Sequence, residues 1–170
     1  MTSICRKVIG GVDTHGMTHH VAVLDAVTGQ VLGDREFAAT TTGYRQLLRW
    51  LRRHGHPEGV GVEGAGCYGA GLTRHLLAEQ VTVHEVPRPD RALRRQVGKS
   101  DSIDAICAAR AVIAGTATAI PKTGTGPVEA IRAIHLARTS AVKARTAAIN
   151  QLKALLVTAP TSQRTPLQPL

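Results

Sequence analysis

Four carboxylates stand where strand ends and helix starts would present them for chemistry: Asp13 in GVDTH, Glu63 in VEGAG, and Asp101 and Asp104 in KSDSIDA. Asp13 and Glu63 each close an apolar run; the other two open a helical pattern. Residues i and i+3 of a helix share a face, so Asp101 and Asp104 can point the same way. If the strands carrying Asp13 and Glu63 are parallel neighbours, those acids are separated by about 4.8 Å of sheet spacing. Such a group repels itself: one pair at about 4 Å costs roughly 4 kcal/mol at an effective dielectric of 20. A divalent cation removes that cost. Mg2+ takes carboxylate, water and phosphate oxygens in one shell, and a pair of such ions stabilises both oxygens of a phosphoryl displacement. The expected chemistry is metal-dependent attack on phosphodiesters, with Asp13, Glu63, Asp101 and Asp104 as catalytic and metal-binding residues and Mg2+ or Mn2+ as cofactor. Each acid alone also has a plainer role open to it. Asp13 can start a turn, Glu63 can be a solvated strand-end acid, and Asp101 can complement the helix dipole.

Basic residues stand beside the acids. Arg88, Arg91, Arg94, Arg95 and Lys99 run directly into Asp101, where they would hold phosphates near the ions. Arg138, Lys143, Arg145 and Lys153 read as further phosphate contacts; a solvated basic face is the alternative for both groups. The charge balance supports a polyanionic partner. Lys+Arg is 21 against Asp+Glu 12, a net +9, and residues 86–170 carry all of it, with 13 basic and 4 acidic groups. Nucleic acid is the expected partner. Aromatics at 2% argue against a base-stacking platform for single strands. No helix-turn-helix or zinc-finger pattern is evident, so little sequence preference is expected.

Other constellations are weaker. His15, His19 and His20 lie near Asp13, but zinc needs a fixed, usually four-ligand geometry; surface or strand-end histidines are expected. Cys67 in GAGCYGAG falls near a helix start, which lowers a thiol pKa, yet no base accompanies it. Cys5, Cys67 and Cys107 form no CxxC pair or disulfide framework, which suits the cytoplasm. The N-terminus lacks a signal-peptide core, and no apolar run is long enough to span a membrane. The glycine-rich stretch from Gly59 to Gly71 lacks the GK[ST] ending of a Walker A loop. It is similar to the phosphate turn of actin-like sugar kinases, which leaves half of such a kinase as a lesser alternative.

Positioning these residues requires particular elements. KVIGGVD (7–13), HVAVLDA (20–26) and VLGDREF (31–37) predict three strands joined by short turns, an antiparallel meander. TGYRQLLRWLRRH (42–54) predicts an amphipathic helix with Leu47, Leu48 and Leu51 on one face and Arg45, Arg49, Arg52 and Arg53 elsewhere. A short strand (59–63), a helix (68–80) and a strand (81–86) follow. Ser100 then caps a helix running to about Gly115. The order is βββαβαβα, an α/β fold with a mixed sheet over residues 1–117. Residues 118–126 read as a linker, 127–158 as a long basic amphipathic helix, and 159–170 as a disordered tail.

GVDTHGMTHHVAVLD, GVEGAGCYGAGL, VPRPDRALRRQVGKSDSIDA and the helix ending ARTAAINQLKALL resemble the N-terminal part of bacterial DEDD transposases of the insertion-sequence one-ten type, over about residues 7–158. The resemblance implies an RNase H-like (RuvC-like) fold and assigns Asp13, Glu63, Asp101 and Asp104 to the family's metal-binding tetrad. It implies a role in DNA transposition and recombination, as an oligomer on DNA; some members use a guide RNA. Family members continue into a C-terminal domain bearing a serine thought to attack DNA, and Ser140 and Ser162 match none of it. The expected protein is therefore a C-terminally truncated transposase. The alternative is a catalytically incompetent nucleic-acid-binding fragment that associates with a full-length transposase. The helix over 127–158 carries an apolar stripe with little chain left to cover it, so a homo-oligomer through that helix is expected. No membrane partner is expected.

Overall fold

The computed structural model describes residues 6–87, 100–122 and 124–167. Arg88, Arg91, Arg94, Arg95 and Lys99 lie outside the described residues. The first three apolar runs form β1 (Lys7–Thr14), β2 (Thr18–Asp25) and β3 (Val31–Ala38). Helix α1 (Thr41–His54), β4 (His56–Glu63), α2 (Ala70–Ala78), β5 (Val83–Val86) and α3 (Asp101–Ile113) follow. The five strands make one sheet in the order β3-β2-β1-β4-β5. The meander β1-β2-β3 is antiparallel, whereas β4 is parallel to β1 and β5 is parallel to β4. That order and those directions are the RNase H-like arrangement.

Boundaries moved where pairing outweighs side-chain type. β4 starts at His56 rather than Gly59, because His56 and Pro57 pair with Lys7 and Val8 of β1 before a register shift. Helix α2 starts only at Ala70, because the chain from Gly64 to Gly69 is taken up by a turn closed by Gly69 N–H donating to the Gly64 carbonyl.

Strand alternation separates two apolar faces. Val8, Val12, Val21, Val23, Val60 and Val62 pack with Leu47, Leu51, Leu72 and Leu76 of α1 and α2. On the other face, Ile9, Ala22 and Leu24 pack with Ala105 and Ala109 of α3. The second face admits its helix unusually closely. A Cβ on Gly11 would lie 2.1 Å from the Ala105 carbonyl oxygen and 2.3 Å from the Ala109 nitrogen. One on Gly61 would lie 2.7 Å from the Ala108 carbonyl oxygen. Helix backbone thus rests on strand backbone, and only glycine leaves the room.

The first compact unit runs to Gly124, past the expected boundary at 117. Glu85 N–H donates to the Ala119 carbonyl at 2.7 Å, and Ala117 and Pro121 are buried, so part of the expected linker belongs to this unit. The second unit holds helix α4 (Pro127–Thr158), a turn of helix α5 (Thr161–Arg164) and a 3-10 turn (Thr165–Leu167). The tail expected to be disordered is thus helical in part. Pro160, at φ −54°, presents its carbonyl to the N–H groups of Gln163 and Arg164 and closes the turn.

Helix α4 buries none of its 32 residues. Eight large apolar side chains between Val128 and Val157 are each at least half exposed. Read at seven-residue spacing, one column of this helix is Ile131, Arg138, Arg145 and Leu152, and its neighbour is Ile134, Ala141, Ala148 and Leu155. The apolar stripe is therefore large-sided at its ends and carries two arginines in its middle. Among the described residues no helix is long and apolar enough to cross a membrane.

Candidate active site

Asp13 and Glu63 each come one residue after the paired Val12 and Val62 of neighbouring parallel strands. Two residues before them stand Gly11 and Gly61, so both acids lie on the α3 face. Both are buried. Thr14 Oγ1 donates to the Glu63 carbonyl at 2.7 Å and ties the two strand ends together. Beyond Glu63 the chain turns at Gly64, whose φ of +67° lies in the left-handed region. The Gly64 carbonyl accepts from the N–H groups of Cys67 and Gly69, and from the Cys67 thiol at 3.3 Å. Cys67 is thus a turn residue, and the Gly59–Gly71 stretch is the end of β4, this turn and the start of α2.

Helix α3 supplies the other two acids. Ser100 Oγ accepts from the Ile103 N–H at 3.3 Å and caps the helix. Asp101 and Asp104 occupy the first turn, on the side that carries Ala105 and Ala108 towards the sheet. The glycine seam lets this turn descend over the strand ends.

Asp13, His15 and Asp101 bring one ligand atom each within 4.8 Å of one another. His15 Nδ1 lies 3.8 Å from Asp13 Oδ2, and its Nε2 lies 4.0 Å from Asp101 Oδ1. Glu63, on the adjacent strand end, and Asp104, one turn along the helix, flank this group without entering it. The structure therefore brings two of the four acids to coordination spacing, with an imidazole between them. His15 was expected only as a strand-end bystander. Its signal was the DTH spacing, since i and i+2 share a strand face.

The next two histidines part company. His19 lies at the strand end, one of the two expected positions, but is fully buried on the α1 face rather than at the surface. It stacks on Tyr44 with centroids 5.7 Å apart and planes 6° apart, and burial lowers its pKa below the ordinary value. His20 lies on the α3 face, directly across the ladder from Asp13. Its Nε2 lies 2.6 Å from Asp34 Oδ2, and Ser102 Oγ donates to the same oxygen at 3.0 Å. These bonds, His20's foremost, hold the Asp34 carboxyl below its ordinary pKa. Ser102 stands between Asp101 and Asp104, so β2 and β3 grip the acidic turn of α3. Neither Asp34 nor Ser102 carries a motif; only a strand acid facing a helix start would have marked them.

Arg138, Lys143, Arg145 and Lys153 are all exposed on α4, in the second unit.

Comparison with known proteins gives a family. A model of the DEDD transposases of the insertion-sequence one-ten type, described as transposase, matches residues 10–159. No curated protein matches the chain. Among solved structures, Thermus thermophilus RuvC in complex with a Holliday junction substrate is similar at 15% identity and a TM-score of 0.49, covering 68% of this chain and 99% of that one. The fowlpox virus Holliday junction resolvase is similar at 12% identity and a TM-score of 0.43, covering 64% of this chain and 98% of that one.

Proposed function

The chain belongs to the DEDD transposase family, and from that premise we propose that the first compact unit, residues 1–124, is a RuvC-like catalytic domain. It acts in DNA transposition and recombination by metal-dependent phosphodiester chemistry. The observation that carries this reading is the convergence of Asp13, His15 and Asp101 over the strand ends.

The donor set fits a divalent cation. The two carboxylates at coordination spacing are hard oxygen donors, which suit Mg2+ or Mn2+, with the His15 imidazole beside them. Asp13 and Asp101 would hold the ion, with Glu63 and Asp104 as the flanking acids of the tetrad. The bound cation supplies phosphate charge neutralisation and a more acidic water. The protein's own part is positional and protonic. The Thr14–Glu63 bond and the Asp34–Ser102 bond hold strand ends and helix turn in register. His15, half exposed beside both acids, is placed to hold a proton at Nδ1 or Nε2 as the reacting oxygens change charge.

DNA is the proposed partner, with phosphates held by Arg138, Lys143, Arg145 and Lys153 and by the basic run from Arg88 to Lys99. A guide RNA, as some family members use, would meet the same residues. The exposed apolar side chains of α4 support self-association through that helix.

Titration with Mg2+ or Mn2+ while following thermal unfolding tests the site. A hundredfold excess of ion over its dissociation constant should stabilise the wild type by about 2.7 kcal/mol. Asp13→Asn should abolish that gain and cleavage of a DNA substrate together. A wild type indifferent to both ions, or an Asp13→Asn variant that gains as much, defeats the reading.

A further inference from the structure

The sheet has a second charged face, and nothing in the acidic site uses it. On α1, Arg45, Arg49, Arg52 and Arg53 are all exposed. Arg35 of β3 joins them, because strand alternation turns it, with Phe37, towards α1 while Asp34 faces α3. Two clefts share Arg49. One, of about 170 Å³, lies between Arg35, Trp50 and Arg53; the other, of about 220 Å³, lies between Arg45, Arg52 and His75.

Arg52 is partnered, lying 3.4 Å from Glu79. Arg35 lies over the Phe37 ring, 5.5 Å from its centroid. Among the described residues no carboxylate pairs with Arg35, Arg49 or Arg53. Three guanidinium groups without counter-charges repel one another, and the fold holds them together. Trp50, packed at 5.6 Å on Phe37 and 4.9 Å on His54, forms a stiff wall to the first cleft. Arg45, Arg49 and Arg53 recur every four residues, about 6 Å apart along the helix axis. A regularly charged polyanion matches that repeat, and the guanidinium fork suits phosphate oxygens.

We propose that the α1–β3 face binds a phosphodiester backbone, on the opposite side of the sheet from the acids and separate from the strand that meets them. The bound segment is a part of the DNA away from the acids, since DNA is the partner proposed for the acidic site; RNA, which shares the phosphate chemistry, is an outcome of the test. Contacts are to backbone, so binding is indifferent to base sequence.

The test uses the full chain in EDTA, so that it does not depend on metal at the acidic site. Labelled single-stranded DNA, duplex DNA and RNA of one sequence are titrated by fluorescence anisotropy across a range of salt. The triple variant Arg35→Gln, Arg49→Gln, Arg53→Gln should reduce the slope of log affinity against log salt by about 2, since each lost phosphate contact removes roughly 0.7–0.9. Its affinity at about 0.1 M salt should fall at least tenfold on duplex DNA, and a loss of that size confined to RNA would overturn the assignment to DNA. The variant should melt like the wild type and keep its Mn2+ response, which separates this surface from the acidic site. Arg49→Glu alone, at the ridge between the clefts, should weaken binding in the same direction. Slopes and affinities within twofold of wild type on all three nucleic acids would overturn the proposal. So would polyglutamate competing as effectively as an oligonucleotide of equal charge.

Discussion

His19 and His20 are adjacent in sequence and opposite in chemistry, because one step along a strand exchanges faces. His20 bonds Asp34 beside the acidic turn, while His19 is buried against Tyr44. Neither His19 ring nitrogen makes a hydrogen bond of standard geometry among the described residues, and the nearby Thr18 backbone only partly offsets the effect of burial. Burial depresses the His19 pKa below its ordinary 6.5. Below that value the unfolded chain binds a proton that the folded chain refuses. The stability tied to neutral His19 is therefore complete above pH 6.5 and is lost as pH falls towards the folded pKa. His19→Phe should remove this dependence and stabilise the fold by on the order of 1 kcal/mol at pH 6, since no unpaired polar atoms remain buried. Urea unfolding of both proteins across pH 5–8 checks it; parallel pH profiles would refute it. The placing of the four acids at two strand ends and in the first turn of one helix was legible in the sequence, because strand ends and helix starts are local signals. His15, Asp34 and Ser102 were not, because their roles depend on which strand lies beside which and on how far α3 descends.

The seam between α3 and the sheet decides that descent. Gly11 and Gly61 face Ala105, Ala108 and Ala109 backbone to backbone. Their residues were visible in KVIGGVD, GVGVE and DAICAARA, yet a strand glycine reads equally as a bulge or a close approach, and only the partner element distinguishes them. Gly11→Ala should push α3 away from β1, at a cost of about 1–3 kcal/mol or more. It should also weaken Mn2+ stabilisation, because Asp101 moves with the helix while Asp13 stays on its strand. Gly66→Ala, where an added Cβ meets nothing within 4 Å, serves as the control and should change stability by less than about 0.5 kcal/mol. Equal losses in the two variants would show that the seam is not what sets the helix height. Element order was readable from apolar periodicity; the starts of β4 and α2 were not, since pairing with β1 and the Gly64 turn fixed them.

At the scale of the whole molecule, the basic and apolar features of α4 interfere with one another. The length and periodicity of this helix were plain in the sequence, but its lack of burial was not, because periodicity specifies a face and not its cover. A second copy laid along the Ile131–Leu152 column would bring Arg138 and Arg145 close to their counterparts, and the one acid of the helix, Glu129, lies in its first turn. Light scattering at about micromolar chain should find weak association at low salt and tighter association as salt screens the arginines. Arg138→Leu with Arg145→Leu should associate more tightly and lose the salt dependence. Association of the wild type that weakens with added salt would contradict this arrangement.

The same two arginines make assembly and nucleic-acid binding a single linked equilibrium. A phosphate backbone laid between two copies would neutralise the charges that keep them apart, so the ligand favours the dimer over the monomer. By reciprocity, the factor by which nucleic acid tightens association is the factor by which association tightens nucleic-acid binding. Binding curves should then steepen as protein concentration falls below the dimerisation constant, and a chain dispersed as monomers should gather only where nucleic acid is present.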